Sequence, residues 1–275
     1  RQRQMCIRDR LMRNIEAVNR FSGQHDTDKV SVMIVPTSGF VLHDKLPENA
    51  PMFDQNTAFK MMLDNISAKA EFIDTRELML NHRDEYIFYK TDHHWTSRGA
   101  FLAYSHWRGE NGESVSEGEF KIEEATNSFK GSLYSKTLLS SCPADKIELY
   151  TEAVPTDYTV YYNFGREVSH SVYALDNLQK RDKYQVFLDG NHPEATIQTG
   201  NENGKRLLIF KDSFANSFIP FLLSDYESIH IIDLRYFISD IEDYIAENSV
   251  TEYLFLYNLK NFCEDKNLEK CLSDL

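Results

Sequence analysis

The chain has 275 residues with 41% hydrophobic content, 18 Phe and 15 Tyr, which is enough to bury one sizeable core and too apolar for a disordered chain. Its formal net charge of −13 at pH 7 speaks against a nucleic-acid partner and against an anionic lipid surface. No apolar run approaches the ~18 residues that a membrane span needs.

In chain order, residues 1–10 (RQRQMCIRDR) read as non-native read-through sequence and are set apart from the fold. They carry four Arg and one Asp, so the remainder is more acidic still. The native N-terminus, with any signal or anchor, is expected to lie outside these residues. Residues 11–275 read as one domain. Leu11, Ile15, Val18 and Phe21 fall at helical spacing over 11–22, and residues 29–36 form a buried strand closed by Pro36. A helix is expected over 55–66, a short strand over 70–74 and a short helix over 75–81. Thr96 is placed to cap a helix running to about Trp107.

From 109 to about 131 the chain is acidic and rich in Gly, Ser and Asn, which predicts surface loop with little core. Residues 145–200 hold short β-like runs such as 159–164 and 183–188, so about 109–200 is expected to be a polar, irregular excursion or lid. Alternation resumes after Arg206: strand 206–211, helix 214–224, strand 229–234, helix 239–247, strand 252–257 and a helix near 264–273. Such alternation predicts an α/β protein whose mostly parallel sheet is covered on both faces. With the first ten residues set apart, Cys142, Cys263 and Cys271 remain. An odd number without metal-type spacing favours free thiols, and pairing of Cys263 with Cys271 stays open.

Two stretches carry chemistry. Asp92, His93 and His94 stand together just ahead of the Thr96 helix start, and Ser213 follows an apolar strand. A carboxylate two residues before an imidazole can fix its tautomer, leaving the other ring nitrogen to accept a serine proton. A serine at the end of a strand and the start of a helix can act as a nucleophile beside free backbone N–H groups. Blander readings stand beside these. Ser213 or Asp212 can simply cap a helix. The His pair can be surface loop, or with Asp92 begin a metal site, although adjacent His residues seldom face one ion. Trp95 and Trp107 are compatible with a sugar-stacking cleft or with core packing.

Thr91-Asp-His-His-Trp-Thr96 with Gly99-Ala100 resembles the signature of the bacterial DHHW protein family. The likeness continues through Val35-Pro-Thr-Ser38, Phe187-Leu-Asp-Gly-Asn-His-Pro193, Lys211-Asp-Ser-Phe-Ala-Asn216 and Ile232-Asp-Leu-Arg-Tyr-Phe237, in register over roughly 11–275. That family is similar to the alginate O-acetyltransferase branch of the SGNH/GDSL hydrolase-like superfamily. The resemblance implies a three-layer α/β/α domain with Ser213 as nucleophile, His94 as general base and Asp92 as its orienter, His93 being the second choice of base. It also implies substrate-binding or oxyanion roles for Arg235, Asn191 and Asn216, where a surface salt bridge, a plain Gly-Asn turn and a structural amide are the alternatives. Lys211 departs from the Gly that many such enzymes carry two residues before the serine, which puts the oxyanion geometry in question.

The reading that follows is an extracytoplasmic O-acetyltransferase or acetylesterase acting on a cell-surface polysaccharide through a serine acyl-enzyme. It needs no cofactor or metal, and its partners are the polysaccharide and an integral-membrane acyl-delivering protein. The competing readings are a catalytically idle glycan-binding or assembly protein of the same fold, and a metal-dependent hydrolase built on Asp92, His93 and His94.

Overall fold

Lys29–Val35 is buried at every position after the first, as a strand sandwiched between two layers must be. The computed structural model describes residues 2–138 and 141–272. Its strands are β1 (Lys29–Val35), β2 (Glu71–Asp74), β3 (Phe120–Phe129), β4 (Asp145–Glu152), β5 (Tyr158–Tyr162), β6 (Glu167–Ser169), β7 (Glu194–Thr199), β8 (Arg206–Lys211), β9 (Ser228–Ile232) and β10 (Glu252–Asn258). The main sheet runs β2-β1-β10-β8-β9-β7-β5-β6. The first five strands in that order are parallel to one another, and β7, β5 and β6 each join antiparallel to the preceding strand.

Alternate side chains of each central strand enter opposite cores. Met33, Leu207, Ile209, Leu254 and Leu256 face a layer that includes Trp95, Tyr184 and Phe214. Val32, Ile34, Leu208, Phe210 and Phe255 face Leu11, Ile15, Val18 and Phe21 of the helix Gln2–Gln24, together with Phe59. Phe21 is the pivot of that second core, meeting Phe210, Tyr253 and Phe255 edge-on at centroid distances of 5.4, 5.0 and 5.5 Å. Edge-on contact matches the positive ring edge to the negative face.

Several expected elements take another form. The first helix spans Gln2–Gln24 and so includes residues 2–10 as well. Residues 214–224 form two 3-10 turns, Ser213–Ser217 and Ile219–Leu222, because Asp212 caps the first tightly and Pro220 opens the second. The C-terminal helix is two short helices, Leu259–Glu264 and Asn267–Cys271.

Residues 109–200 depart furthest from the sequence pattern. Phe120 and Phe129, at the two ends of β3, are buried, and β3 pairs with β4 as a separate ribbon. The runs 158–162 and 194–199 extend the main sheet rather than lying over it. Residues 183–186 are a 3-10 turn, not a strand. Beyond it Leu188, Asp189 and Gly190 all have positive φ (56°, 51° and 92°), which turns the chain sharply and is costly at the two non-glycine positions. Cys142, Cys263 and Cys271 are free thiols. Among the described residues no helix is long and apolar enough to cross a membrane.

Candidate active site

The site lies where β8 ends. Asp212 caps the following turn: its Oδ1 accepts the Phe214 N–H at 2.8 Å, and its Oδ2 accepts the Asn258 N–H at 2.9 Å and the Asn261 amide at 2.6 Å. Burial pushes its carboxyl up, against those three donors. Because Asp212 does the capping, the Ser213 hydroxyl is released from that task.

The Ser213 hydroxyl meets His94 instead. Its Oγ stands 2.7 Å from His94 Nε2, and His94 Nδ1 stands 2.5 Å from Asp92 Oδ1. An ionised carboxylate only accepts, so Nδ1 carries the ring proton and Ser213 donates to Nε2. Asp92 and His94 are buried and Ser213 is partly exposed. Burial works against the Asp92 charge, but the His94 hydrogen bond, electrostatic attraction to the His94 and His93 rings and the Ser132 N–H hold its carboxyl well below the usual range. The arrangement can take a proton from the hydroxyl and hold the resulting imidazolium.

The loop bearing Asp92 is pinned from three directions. The Asp145 carboxylate accepts the Lys90 N–H at 2.9 Å, the Thr91 N–H at 2.7 Å, the Thr91 hydroxyl at 2.5 Å and the Tyr86 hydroxyl at 2.5 Å. The Ser132 N–H donates to Asp92 Oδ2 at 2.7 Å. Trp95 Nε1 donates to the Phe214 carbonyl at 2.9 Å, tying the His loop to the Ser turn. Close approach also dictates Gly99, where an added Cβ would lie 2.5 Å from the Ile87 carbonyl oxygen. The Thr96 cap forms as the sequence suggests, its side chain accepting the Gly99 N–H.

Lys211 explains its own departure from Gly. Its side chain is buried under the site, donating to Asn191 Oδ1 and Asn216 Oδ1 at 2.7 Å each, with Asp233 at 3.8 Å. Burial pushes its pKa down to about 8, with Asp233 resisting and Arg235 adding to the fall. Asn216 also donates to the Gly190 carbonyl at 3.0 Å and to Asn191 Oδ1 at 3.3 Å. Asn191 Oδ1 thus accepts from both Lys211 and Asn216.

The structure distributes the remaining candidates differently. His93 points outward, 45% exposed, with Nδ1 2.7 Å from Ser132 Oγ. The Arg235 guanidinium closes as a fork on Asp233, at 2.8 and 2.5 Å. Trp95 and Trp107 are fully buried in the core, so neither offers a face to a sugar. The expected row of helix N–H groups beside Ser213 is largely spent, since Phe214 N–H goes to the Asp212 side chain and Ala215 N–H to its carbonyl. Among the described residues no hydrogen bond from the Ser213 N–H is found outside its own turn. Three contributors were not singled out from sequence: Ser132, Asp145 and Tyr184, whose ring stacks on that of His94. Only Tyr184 had a local signal, lying in an apolar run whose strand-like pattern hid it.

Asp92, His93 and His94 place ligand-type atoms within 4.8 Å of one another. Oδ1 of Asp92 and both nitrogens of His94 are already engaged with each other and with Ser213, so a metal would have to break that line.

The comparisons agree with this architecture. The model of the DHHW protein family matches residues 11–232. No curated protein matches by sequence. A DHHW family protein from Eubacterium siraeum DSM 15702 is 23% identical with a TM-score of 0.79, over 95% of this chain and 88% of that one. Bacillus cereus PatB1 with a sulfonyl adduct is 22% identical with a TM-score of 0.79, over 96% and 92%. The O-acetyltransferase domain of Pseudomonas putida AlgJ is more distant, at 15% identity and a TM-score of 0.54, over 99% and 91%. The fold is thus a three-layer α/β/α one with a mostly parallel sheet, shared with these neighbours. By the family match over most of its length, the chain belongs to the DHHW protein family.

Proposed function

We propose that the protein is an extracytoplasmic O-acetyltransferase or acetylesterase that works on a cell-surface polysaccharide through an acyl-enzyme on Ser213. The single observation that carries this reading is the unbroken line from Asp92 Oδ1 through His94 to Ser213 Oγ. Ser213 Oγ attacks the acetyl carbonyl carbon while its proton passes to His94 Nε2. The tetrahedral intermediate collapses, the donor's leaving group departs with the proton from His94, and an acetyl ester remains on Ser213. A sugar hydroxyl, or water, then attacks that ester, losing its proton to Nε2, which returns it to Ser213 Oγ. Asp92 stays ionised throughout and stabilises the imidazolium.

In this reading the Ser213 N–H and Asn191 Nδ2 stabilise the oxyanion. The names of the relatives support the class: the Pseudomonas putida AlgJ domain is an O-acetyltransferase, and Bacillus cereus PatB1 has been captured with a sulfonyl adduct. An integral-membrane protein is the proposed supplier of the acetyl group.

The test is intact mass and ester turnover with a small activated acetyl ester, for the wild type, Ser213→Ala and His94→Ala. One acetyl adduct or steady turnover, lost in Ser213→Ala, is the expected result. A folded wild type that neither acylates with the ester nor reacts with a sulfonyl fluoride at Ser213 would overturn the acyl-enzyme and favour an idle glycan-binding protein.

A further inference from the structure

Tyr184 occupies a place that the reaction scheme above leaves unused. It lies in the 3-10 turn Lys183–Val186 and is 4% exposed. Its ring is stacked on that of His94, with centroids 3.8 Å apart and planes 4° from parallel. Its hydroxyl donates to the Ser213 carbonyl at 3.0 Å and lies 3.1 Å from Ser217 Oγ. The phenol is itself wedged edge-on by Tyr89 at 6.2 Å and flanked by Phe187 at 5.2 Å.

We infer that Tyr184 is a positioning residue for the acyl-transfer chemistry, holding the His94 ring in the one plane that lets Nδ1 reach Asp92 while Nε2 reaches Ser213. This inference rests on the acyl-enzyme reading. An imidazole is joined to its loop by two rotatable bonds, and rotation about the second swings both nitrogens off their partners. A flat face against a flat face blocks that rotation in a way that an aliphatic side chain does not. The hydroxyl ties the same ring to the backbone of the nucleophile, so base and nucleophile move with one clamp. When His94 takes up the serine proton it becomes a cation lying over the negative face of the phenol, a contact stronger in the charged intermediate than in the resting enzyme. Burial pushes the phenol well above its ordinary pKa, so it remains a neutral hydrogen-bond donor.

Two variants separate ring from hydroxyl. Tyr184→Phe keeps the stack and loses the hydrogen bond, whereas Tyr184→Leu loses both, with Tyr184→Met as its substitute if the leucine variant does not fold. Each is compared with wild type for kcat and KM on the activated acetyl ester, and for the rate of sulfonyl fluoride labelling at Ser213. Ser213→Ala serves as the control for the acyl-enzyme reading. The aliphatic variant is expected to lose about a hundredfold in kcat, the scale of a misplaced catalytic group. Its KM should stay within about twofold, as for an interaction made chiefly in the transition state. Tyr184→Phe should lose about tenfold or less, in keeping with one neutral hydrogen bond. A folded aliphatic variant with kcat near wild type, or a Phe variant as impaired as the aliphatic one, would overturn the stacking role. Loss of labelling in Ser213→Ala with unchanged labelling in the Tyr184 variants would refute the positioning role and leave the acyl-enzyme reading intact. Labelling that persists in Ser213→Ala would instead sink the reading beneath it.

Discussion

The Ser132 N–H reaches the Asp92 carboxylate across forty residues of chain, at 2.7 Å. The residue before it has no room for a side chain: a Cβ on Gly131 would lie 2.3 Å from Asp92 Oδ2. The φ of this glycine is ordinary extended backbone at −86°, so its requirement is proximity rather than conformational freedom. Gly131→Ala is therefore expected to displace Asp92 and to lower kcat on an acetyl ester by about a hundredfold, the scale of an ångström-level misplacement. Crowding of this kind also destabilises by about 1–3 kcal/mol, measurable by urea denaturation. Unchanged kcat in the folded variant would mean that Asp92 does not need its Ser132 contact.

Lys211 makes the second prediction. Replacing it by Met removes the ammonium that holds Asn191 and Asn216, so kcat is expected to fall by about tenfold or more if those amides set the oxyanion side, as donors there do. The stability signature is separate. The folded pKa near 8 lies below the ordinary Lys value of about 10.4, so the unfolded chain holds more protons between those limits. Wild-type stability should therefore rise relative to Lys211→Met from pH 8 upwards, by at most about 1.4 kcal/mol per pH unit. A stability difference flat from pH 7 to 9.5 would show that the lysine keeps its proton as readily folded as unfolded.

The sheet is legible in the sequence because its central strands are sandwiched: the apolar runs at 29–35, 206–211 and 252–258 admit few other readings. Asp92 and His94 are legible because their spacing lets the carboxylate meet both the His94 ring and its backbone N–H locally. Their meeting with Ser213, 119 residues away, rests on topology, and there the resemblance to a family carried what periodicity did not. The supports are hidden for a related reason. Ser132 acts through its backbone N–H, which any residue but proline supplies. Tyr184 lies in a 3-10 turn whose apolar pattern resembles a strand, and β3 is mostly exposed between its two buried phenylalanines, so its polar composition looks like loop.

Asp145 anchors the backbone ahead of Asp92 through four donors and is 2% exposed. Asp145→Ala removes the acceptor of the buried Thr91 N–H, of the part-buried Lys90 N–H and of two hydroxyls. A loss of about 3 kcal/mol or more is expected, on the scale of unsatisfied buried donors. Asp145→Asn keeps one acceptor oxygen and should lie between the two. Denaturation midpoints for the three proteins provide the check. An alanine variant as stable as wild type would mean that water or a rearranged loop satisfies those groups.

His230 supplies a pH response unrelated to chemistry at Ser213. It is buried in β9, with Nε2 3.0 Å from Ser228 Oγ and Nδ1 3.2 and 3.1 Å from the Thr196 and Tyr244 hydroxyls. Burial, reinforced by the charge of Arg206, pushes its pKa down to about 4. A histidine depressed in the fold stays neutral there while the unfolded chain takes up a proton near the ordinary value of about 6.5. Its contribution to stability is thus complete above that value and is lost as pH falls from about 6.5 towards 4. The full loss is on the order of 3 kcal/mol. His230→Gln keeps a polar side chain but cannot titrate, so its stability relative to wild type should improve on going from pH 7 to pH 5. Urea denaturation of both proteins at the two pH values reads this directly. Parallel acid losses in the two proteins would assign the acid sensitivity to carboxylates instead.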